Sequence, residues 1–205
     1  MKDIQTISAD YVQGSFQLLE HAGDRARASL YFARRVGEEA EKENYLMAQW
    51  YYRASLSEYK SLFDVLPADL RDINLDKIFN MSPFKKEMDS HPLITVLKKA
   101  RDLAIHSTKF QGQGRHFHVI RCDSSGQTPI SYGAVFFDPV KEDHIKKEDR
   151  KYITEEQITW FNKQSQGWPA HLLIQEAIFQ TSVPLRNFLF VNCPDLHAEQ
   201  PTEEI

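Results

Sequence analysis

Residues 8–43 read SADYVQGSFQLLEHAGDRARASLYFARRVGEEAEKE, and this stretch sets the architecture of the chain. Small and apolar residues recur in it at steps of three and four, the spacing that places side chains on one face of an α-helix. Ser8 and Asp10 precede the face as candidate N-caps. The pattern predicts one long helix whose small residues let a neighbouring helix approach closely. The predicted face consists of Val12, Phe16, Leu19, Gly23, Ala26, Leu30, Ala33 and Gly37.

A second helical pattern follows in NYLMAQWYYRASLSEYKSLFDVLP, residues 44–67. Asn44 is a candidate N-cap, and Pro67 is expected to end the helix because proline lacks the N–H that a helix interior uses. Two long helices joined by a short polar turn predict an antiparallel helical hairpin. The buried stripe of the second helix is expected to comprise Ala48, Tyr52, Ser55, Tyr59, Leu62 and Leu66.

A third helix is predicted in SHPLITVLKKARDLAIHSTKF, residues 90–110, after a less periodic stretch that indicates a short helix or an ordered loop. Ser90 is the expected cap, with Pro92 in the first turn, where its missing N–H costs little. Gly112 and Gly114 are expected to end the helix. Its buried stripe is predicted to be Leu93, Leu97, Ala100 and Ala104.

The pattern changes to alternating β-branched and aromatic residues in RHFHVIRC and PISYGAVFF, which flank a Ser-Ser-Gly turn and predict a β-hairpin at 115–137. Thr154 with Gln157 forms a capping-box pattern for a later helix. Gly167, Pro169 and Pro184 are expected to kink or restart the helical segments after it. The tail at 194–205 is polar and acidic and is expected to be frayed. The sequence therefore predicts one mainly α domain over residues 1–205, an antiparallel bundle of four to five long helices with an inserted β-hairpin.

Composition and charge limit the kind of protein. The formal net charge of −4 argues against non-specific coating of nucleic acid, since such binding requires many phosphates to be neutralised. Only two cysteines occur, and the chain opens MKDIQTISAD, without the regions of a signal peptide. No apolar run approaches the roughly 20 residues that span a bilayer. We therefore expect a cytoplasmic protein with no membrane partner.

Three residues of the third helix form a candidate catalytic group: Arg101, Asp102 and His106. Asp102 and His106 are four residues apart, so they share a helix face on which the carboxylate can orient the imidazole and favour its protonated form. Arg101 lies about 140° around the helix from His106. Two such helices packed about a two-fold axis would bring a positive charge and an acid/base into one cleft, the equipment that phosphodiester cleavage needs.

The spacing Arg-Asp-x-x-x-His, late in a helix that follows two long antiparallel helices, resembles the signature of the HEPN superfamily. The resemblance implies a helical homodimer with the motif at the shared cleft, and many members are metal-independent RNases of bacterial defence and toxin–antitoxin systems. It implies that His106 deprotonates a ribose 2′-OH and that Arg101 binds the scissile phosphate. Asp102 stands where the family more often has Asn. RNA and an antitoxin or regulatory protein are the partners that the resemblance implies, and no cofactor is expected.

Alternatives stay open at this stage. Arg101 and His106 also suit the negative end of a helix dipole without any catalytic role. His116 and His118 alternate on one side of the first strand, where they could bind a metal; no ligand spacing accompanies them, so we expect no metal site. With Arg115 they are instead candidate phosphate-binding residues. The rival to the nuclease hypothesis is a non-catalytic helical protein that binds a partner or a small ligand.

Overall fold

The computed structural model describes residues 14–106, 112–123, 126–141 and 153–193. Within these ranges the protein is mainly helical and contains one two-stranded antiparallel sheet. The prediction of a mainly α protein with a β-hairpin is confirmed. The elements are α1 (Glu20–Glu41), α2 (Tyr45–Asp72), α3 (Asp76–Asn80), α4 (Pro83–Ser90), α5 (Pro92–His106), β1 (Gly112–Asp123), β2 (Gly126–Phe137), α6 (Glu155–Gly167) and α7 (Ala170–Asn192).

The first two helices form the predicted antiparallel hairpin. Their closest approach is at two buried serines: Ser29 Oγ donates to the carbonyl of Ser55 at 2.9 Å, and Ser55 Oγ donates to the carbonyl of Ser29 at 2.8 Å. Each hydroxyl reaches the other backbone because no larger side chain separates the helices. Every member of the predicted α1 face from Phe16 to Gly37 is buried. The sequence pattern therefore identified the packing face correctly.

The start of the first helix differs from the prediction. Phe16 and Leu19 are buried, but they precede the helix, which begins at Glu20, and Leu19 occupies the N-cap position without a side-chain hydrogen bond. A periodic apolar pattern continues through such a turn, so periodicity alone does not set the helix boundary. Ser8, Asp10 and Val12 lie outside the described residues.

Two of the expected proline breaks are wrong. Pro67 lies inside α2, which continues to Asp72, and Pro184 lies inside α7. Pro67 is exposed while Leu66 and Leu70 are buried, so the apolar side of the helix stays packed across the lost hydrogen bond. The break expected near Gly167 is confirmed, because α6 ends there and α7 begins at Ala170.

The third predicted helix is α5, and its cap differs from the prediction. Ser90 is the last residue of α4, where its hydroxyl donates to the carbonyl of Glu87 at 3.1 Å, so it does not cap α5. Thr95 Oγ1 instead bonds the carbonyl of Asp89 across the junction of the two helices. Leu93, Leu97 and Ala100 are buried as expected. The side chain of Ala104 lies outside the described part of the structure.

The β-hairpin is longer than predicted, and its base belongs to the core. β1 and β2 pair antiparallel from Gly112 with Phe137 to Asp123 with Gly126. The ring of Phe137 lies 5.3 Å from that of Tyr52 in α2 and 5.2 Å from that of Phe161 in α6. Gly133 lies so close to the carbonyl of Ala40 that any side chain would displace it. The hairpin is thus clamped at its base between the helices rather than appended to them.

The chain ends beyond α7, and the acidic stretch at 194–205 lies outside the described residues. None of the helices in the described ranges is long and apolar enough to cross a membrane.

Candidate functional site at the end of the fifth helix

The Arg-Asp-x-x-x-His motif occupies the last two turns of α5. The helix is continuous from Pro92 to His106, so the backbone spacing assumed for Asp102 and His106 holds. By the same helical spacing, backbone positions 102 and 106 fall on the side opposite the buried stripe of Leu93 and Leu97. The side chains of Arg101, Asp102 and His106 lie outside the described part of the structure.

Helix α5 runs antiparallel to α2. Lys98 lies over the ring of Phe63, near the middle of α2, with 4.4 Å between Nζ and the ring centroid. After α5 the chain returns at Gly112, whose carbonyl accepts a 3.1 Å hydrogen bond from Gln49 near the start of α2. The end of α5 that carries the motif therefore lies toward the end of α2 at which the β-hairpin begins.

Lys98 is a basic group on the same helix. Its side chain lies against Phe63, and burial lowers the pKa of its ammonium group, while the nearby Asp89 carboxylate opposes that shift. Lys98 Nζ lies 3.8 Å from Asp89 Oδ1. The charge is held between an aromatic ring and a carboxylate, so Lys98 serves the packing of α5 on α2.

The three predicted phosphate-binding residues do not share one face of the hairpin. His116 and His118 pair with Gly133 and Ser131 and lie on one face, as predicted, whereas Arg115 pairs with Ala134 and lies on the other. The Arg115 guanidinium stacks 3.7 Å from the ring centroid of Phe136 and donates a 2.9 Å hydrogen bond to the carbonyl of Gln166. Arg115 therefore fastens the hairpin to the end of α6.

The two histidines are exposed. His116 Nε2 lies 4.0 Å from Glu43 Oε1, in the turn between α1 and α2, and both side chains are more than half exposed. At that distance and exposure the pair interacts weakly. Among the described residues, no three His, Cys, Asp or Glu side chains are grouped so that they could hold a metal ion.

Sequence reasoning missed a buried polar group near the hairpin base. The Tyr52 side chain is 1% exposed, and its hydroxyl has no hydrogen-bond partner among the described residues. Burial raises the pKa of that hydroxyl well above its ordinary value, and the nearby Asp138 carboxylate adds to the increase, so the group stays protonated. Tyr52 was predicted as part of the buried stripe, but a helical pattern does not show whether a tyrosine hydroxyl finds a partner.

Two histidines with lowered pKa values lie elsewhere. His171, in the first turn of α7, is held by burial at a pKa of about 4, and its Nδ1 has no partner within the described ranges. Burial also lowers the pKa of His91, which precedes α5, while Glu176 and Glu87 oppose that shift. His91 is 15 residues from His106, or about 22 Å along a helix, so neither group belongs to the motif at the end of α5.

The chain was also compared with protein-family models, with curated proteins and with solved structures, and none of the three comparisons finds a match.

Proposed function

We propose that this protein is a HEPN-like, metal-independent endoribonuclease that works as a homodimer, with Arg101 and His106 in the cleft between two copies. The observation that carries the proposal is the position of the Arg-Asp-x-x-x-His motif at the end of α5, a helix that packs on a long antiparallel hairpin. The resemblance on which the proposal rests is that combination of motif and helical order. A bundle built from α1, α2, α5, α6 and α7 is part of the proposal.

In this mechanism His106 acts as the general base. It removes the proton from a ribose 2′-OH, and the 2′-oxygen attacks the adjacent phosphorus. The bond from phosphorus to the 5′-oxygen of the next nucleotide breaks, and that oxygen takes up a proton. Arg101 holds the phosphate and stabilises the charge that develops on its oxygens. The products are a 2′,3′-cyclic phosphate and a 5′-hydroxyl.

A dimer is needed because a single helix separates the two groups. Arg101 and His106 are about 140° apart around α5, so one helix does not direct both at one phosphate. A two-fold axis beside the end of α5 would place Arg101 of one copy next to His106 of the other. Positions 102 and 106 fall opposite the buried stripe of α5, a location compatible with such an interface.

The experiment compares the purified protein with His106→Ala and Arg101→Ala on labelled single-stranded RNA in EDTA. We expect cleavage by the unchanged protein, a loss of about 10²- to 10⁴-fold in each variant, and a 2′,3′-cyclic phosphate on the product. The matched controls are His21→Ala on α1 and Arg71→Ala at the end of α2, both exposed, which should cleave at the original rate. Mixing the two inactive variants should restore part of the activity, since a mixed dimer would keep one complete cleft. Absence of cleavage by the folded, unchanged protein on several RNAs would overturn the proposal.

A second candidate is a non-catalytic interaction protein. It is favoured by large apolar side chains exposed on the outer side of the α1–α2 hairpin: Leu46 is 65% exposed, Trp50 61% and Tyr31 57%. Leu46 and Trp50 are one turn apart on α2, and exposed apolar groups at neighbouring positions are typical of interaction surfaces. Under this hypothesis Trp50→Ala abolishes partner binding, while His106→Ala has no effect on it.

A further inference from the structure

The β-hairpin has an open edge that the ribonuclease proposal does not use. In the described ranges the sheet has two strands, so each strand has an outer edge with no third strand beside it. Each strand is 12 residues long, or about 40 Å. Isolated two-stranded hairpins are marginally stable in water, and unpaired strand edges are ready templates for another strand.

The outer edge of β2 is closed to such pairing. Pro129 lies within the continuous ladder, opposite Ile120. Since proline has no N–H, it fits a ladder with its nitrogen directed away from the partner strand, so the gap falls on the outer edge of β2. The same edge is obstructed further along, where Gly133 lies against the carbonyl of Ala40 at the end of α1.

The outer edge of β1 differs in both respects. Ile120 is directly opposite Pro129, so its own N–H and C=O also point outward, and so do those of His118 and His116 at steps of two. β1 contains no proline. At its base the carbonyl of Gly112 is taken by Gln49. From His116 onward, no hydrogen bond from the described residues outside β2 occupies this edge.

The charge of the strand indicates which kind of segment suits the edge. The β1 sequence contains Arg115, His116, His118 and Arg121 against a single acid, Asp123, while β2 contains no charged residue. His116 and His118 are exposed, and Glu43 approaches one of them only at 4.0 Å. A second copy of β1 would bring like charges together, whereas an acidic strand would be attracted along the whole edge.

We propose that the outer edge of β1, from His116 to Ile120, binds an extended acidic segment of a partner protein as a third strand. Backbone hydrogen bonds to the outward N–H and C=O groups supply the affinity, and the basic side chains select carboxylates on the incoming strand.

The test uses a fluorescent ten-residue peptide of alternating Glu and Val, with the Lys–Val peptide of the same length as its charge control. His118→Pro removes an outward N–H of β1, and Ser131→Pro removes one from the directly opposed position on the outer edge of β2. We expect His118→Pro to weaken binding of the Glu–Val peptide by about tenfold, and Ser131→Pro to leave it within about twofold. Equal binding by His118→Pro and the unchanged protein, or stronger binding of the Lys–Val peptide, would overturn the proposal. So would binding of single-stranded RNA by the hairpin without binding of either peptide.

Hydrogen exchange on the unchanged protein gives a second measurement that needs no folded variant. Addition of the Glu–Val peptide should slow exchange of the His116 and His118 amides by about tenfold or more, because those N–H groups acquire acceptors. The Phe117 amide, which faces β2, should not change. Unaltered exchange at His116 and His118 at saturating peptide would contradict strand addition. None of these measurements depends on RNA cleavage.

Discussion

The backbone N–H of Ala22 donates a 2.7 Å hydrogen bond to Oδ2 of Asp69, and both residues are buried. Ala22 is the third residue of α1, so its N–H is one of those at a helix start that have no acceptor within the helix. Leu19, at the N-cap position, supplies no side-chain acceptor. Asp69, near the end of α2 and 47 residues away in sequence, therefore caps α1 and also places a carboxylate at the positive end of its dipole.

Replacement of this cap should destabilise the α1–α2 hairpin. We expect Asp69→Ala to lower the free energy of unfolding by about 1–3 kcal/mol, because the Ala22 N–H is left buried without an acceptor. Urea unfolding followed by circular dichroism measures the change. Asp72→Ala, at an exposed position three residues later, is the control and should stay within about 0.5 kcal/mol. Equal effects of the two substitutions would show that the cap does not stabilise the fold.

The contact between Ser29 and Ser55 should tolerate loss of a hydroxyl better than added volume. Ser29→Ala removes one hydrogen bond and should cost about 1 kcal/mol. Ser29→Val adds methyl groups between closely packed backbones and should cost about 2 kcal/mol or more, since overpacking forces the helices apart. Ala28→Val, at the neighbouring partly exposed position, is the comparison and should cost less. If Ser29→Val is no worse than Ser29→Ala, close approach is not what selects serine here.

Gly37 and His171 should show strong coupling. A Cβ at position 37 would lie 3.2 Å from Cδ2 and Nε2 of His171, so Gly37→Ala forces the imidazole to shift. We expect a net loss of about 1–2 kcal/mol, even though alanine favours the helix by up to about 1 kcal/mol. In a His171→Ala background the same change should be neutral or stabilising. A double-mutant cycle by urea unfolding checks the coupling, and additive effects would exclude the contact as its cause.

The buried imidazole of His171 should make the protein less stable in mild acid. Its pKa is about 4 in the folded protein, against 6.5 for an ordinary histidine, so the unfolded chain takes up this proton first as the pH falls. The contribution is fully present above about pH 6.5 and is lost toward pH 4, by up to about 1.4 kcal/mol for each pH unit. His171→Leu should flatten this part of the stability profile, whereas His21→Leu, at an exposed position, should not. Identical slopes for the unchanged protein and His171→Leu would disprove the assignment.

Arg115 should affect stability through its contacts with Phe136 and Gln166. Arg115→Ala removes a stacked guanidinium and a hydrogen bond, and we expect a loss of about 1 kcal/mol with faster amide exchange at the base of the hairpin. His116→Ala, next in sequence but on the opposite face, is the control and should change stability by less than about 0.5 kcal/mol. A larger effect from His116→Ala would place the fastening on the wrong face.

Local sequence patterns were sufficient for the features that depend on residues within a turn or two of one another. The three-and-four spacing around Ala26 and Ala33 predicted the packing face of α1, and alternation predicted that His116 and His118 share one face of β1. The capping box of Thr154 and Gln157 forms as expected, with both hydrogen bonds present. The spacing within the Arg101 to His106 motif also follows from the helix alone, since α5 continues to its last residue.

Only the tertiary structure decided where distant segments meet. The Asp69 cap on α1, the continuation of α2 through Pro67 and the fastening of Arg115 to Gln166 all depend on partners far away in sequence or on the packed side of a helix. Such contacts form when buried apolar surface holds two elements together, and a local pattern contains no record of which element will be the neighbour. For the same reason the sequence by itself determined the spacing of the candidate catalytic residues, whereas packing decided that Arg115 and His116 face opposite ways and that an edge of β1 stays open.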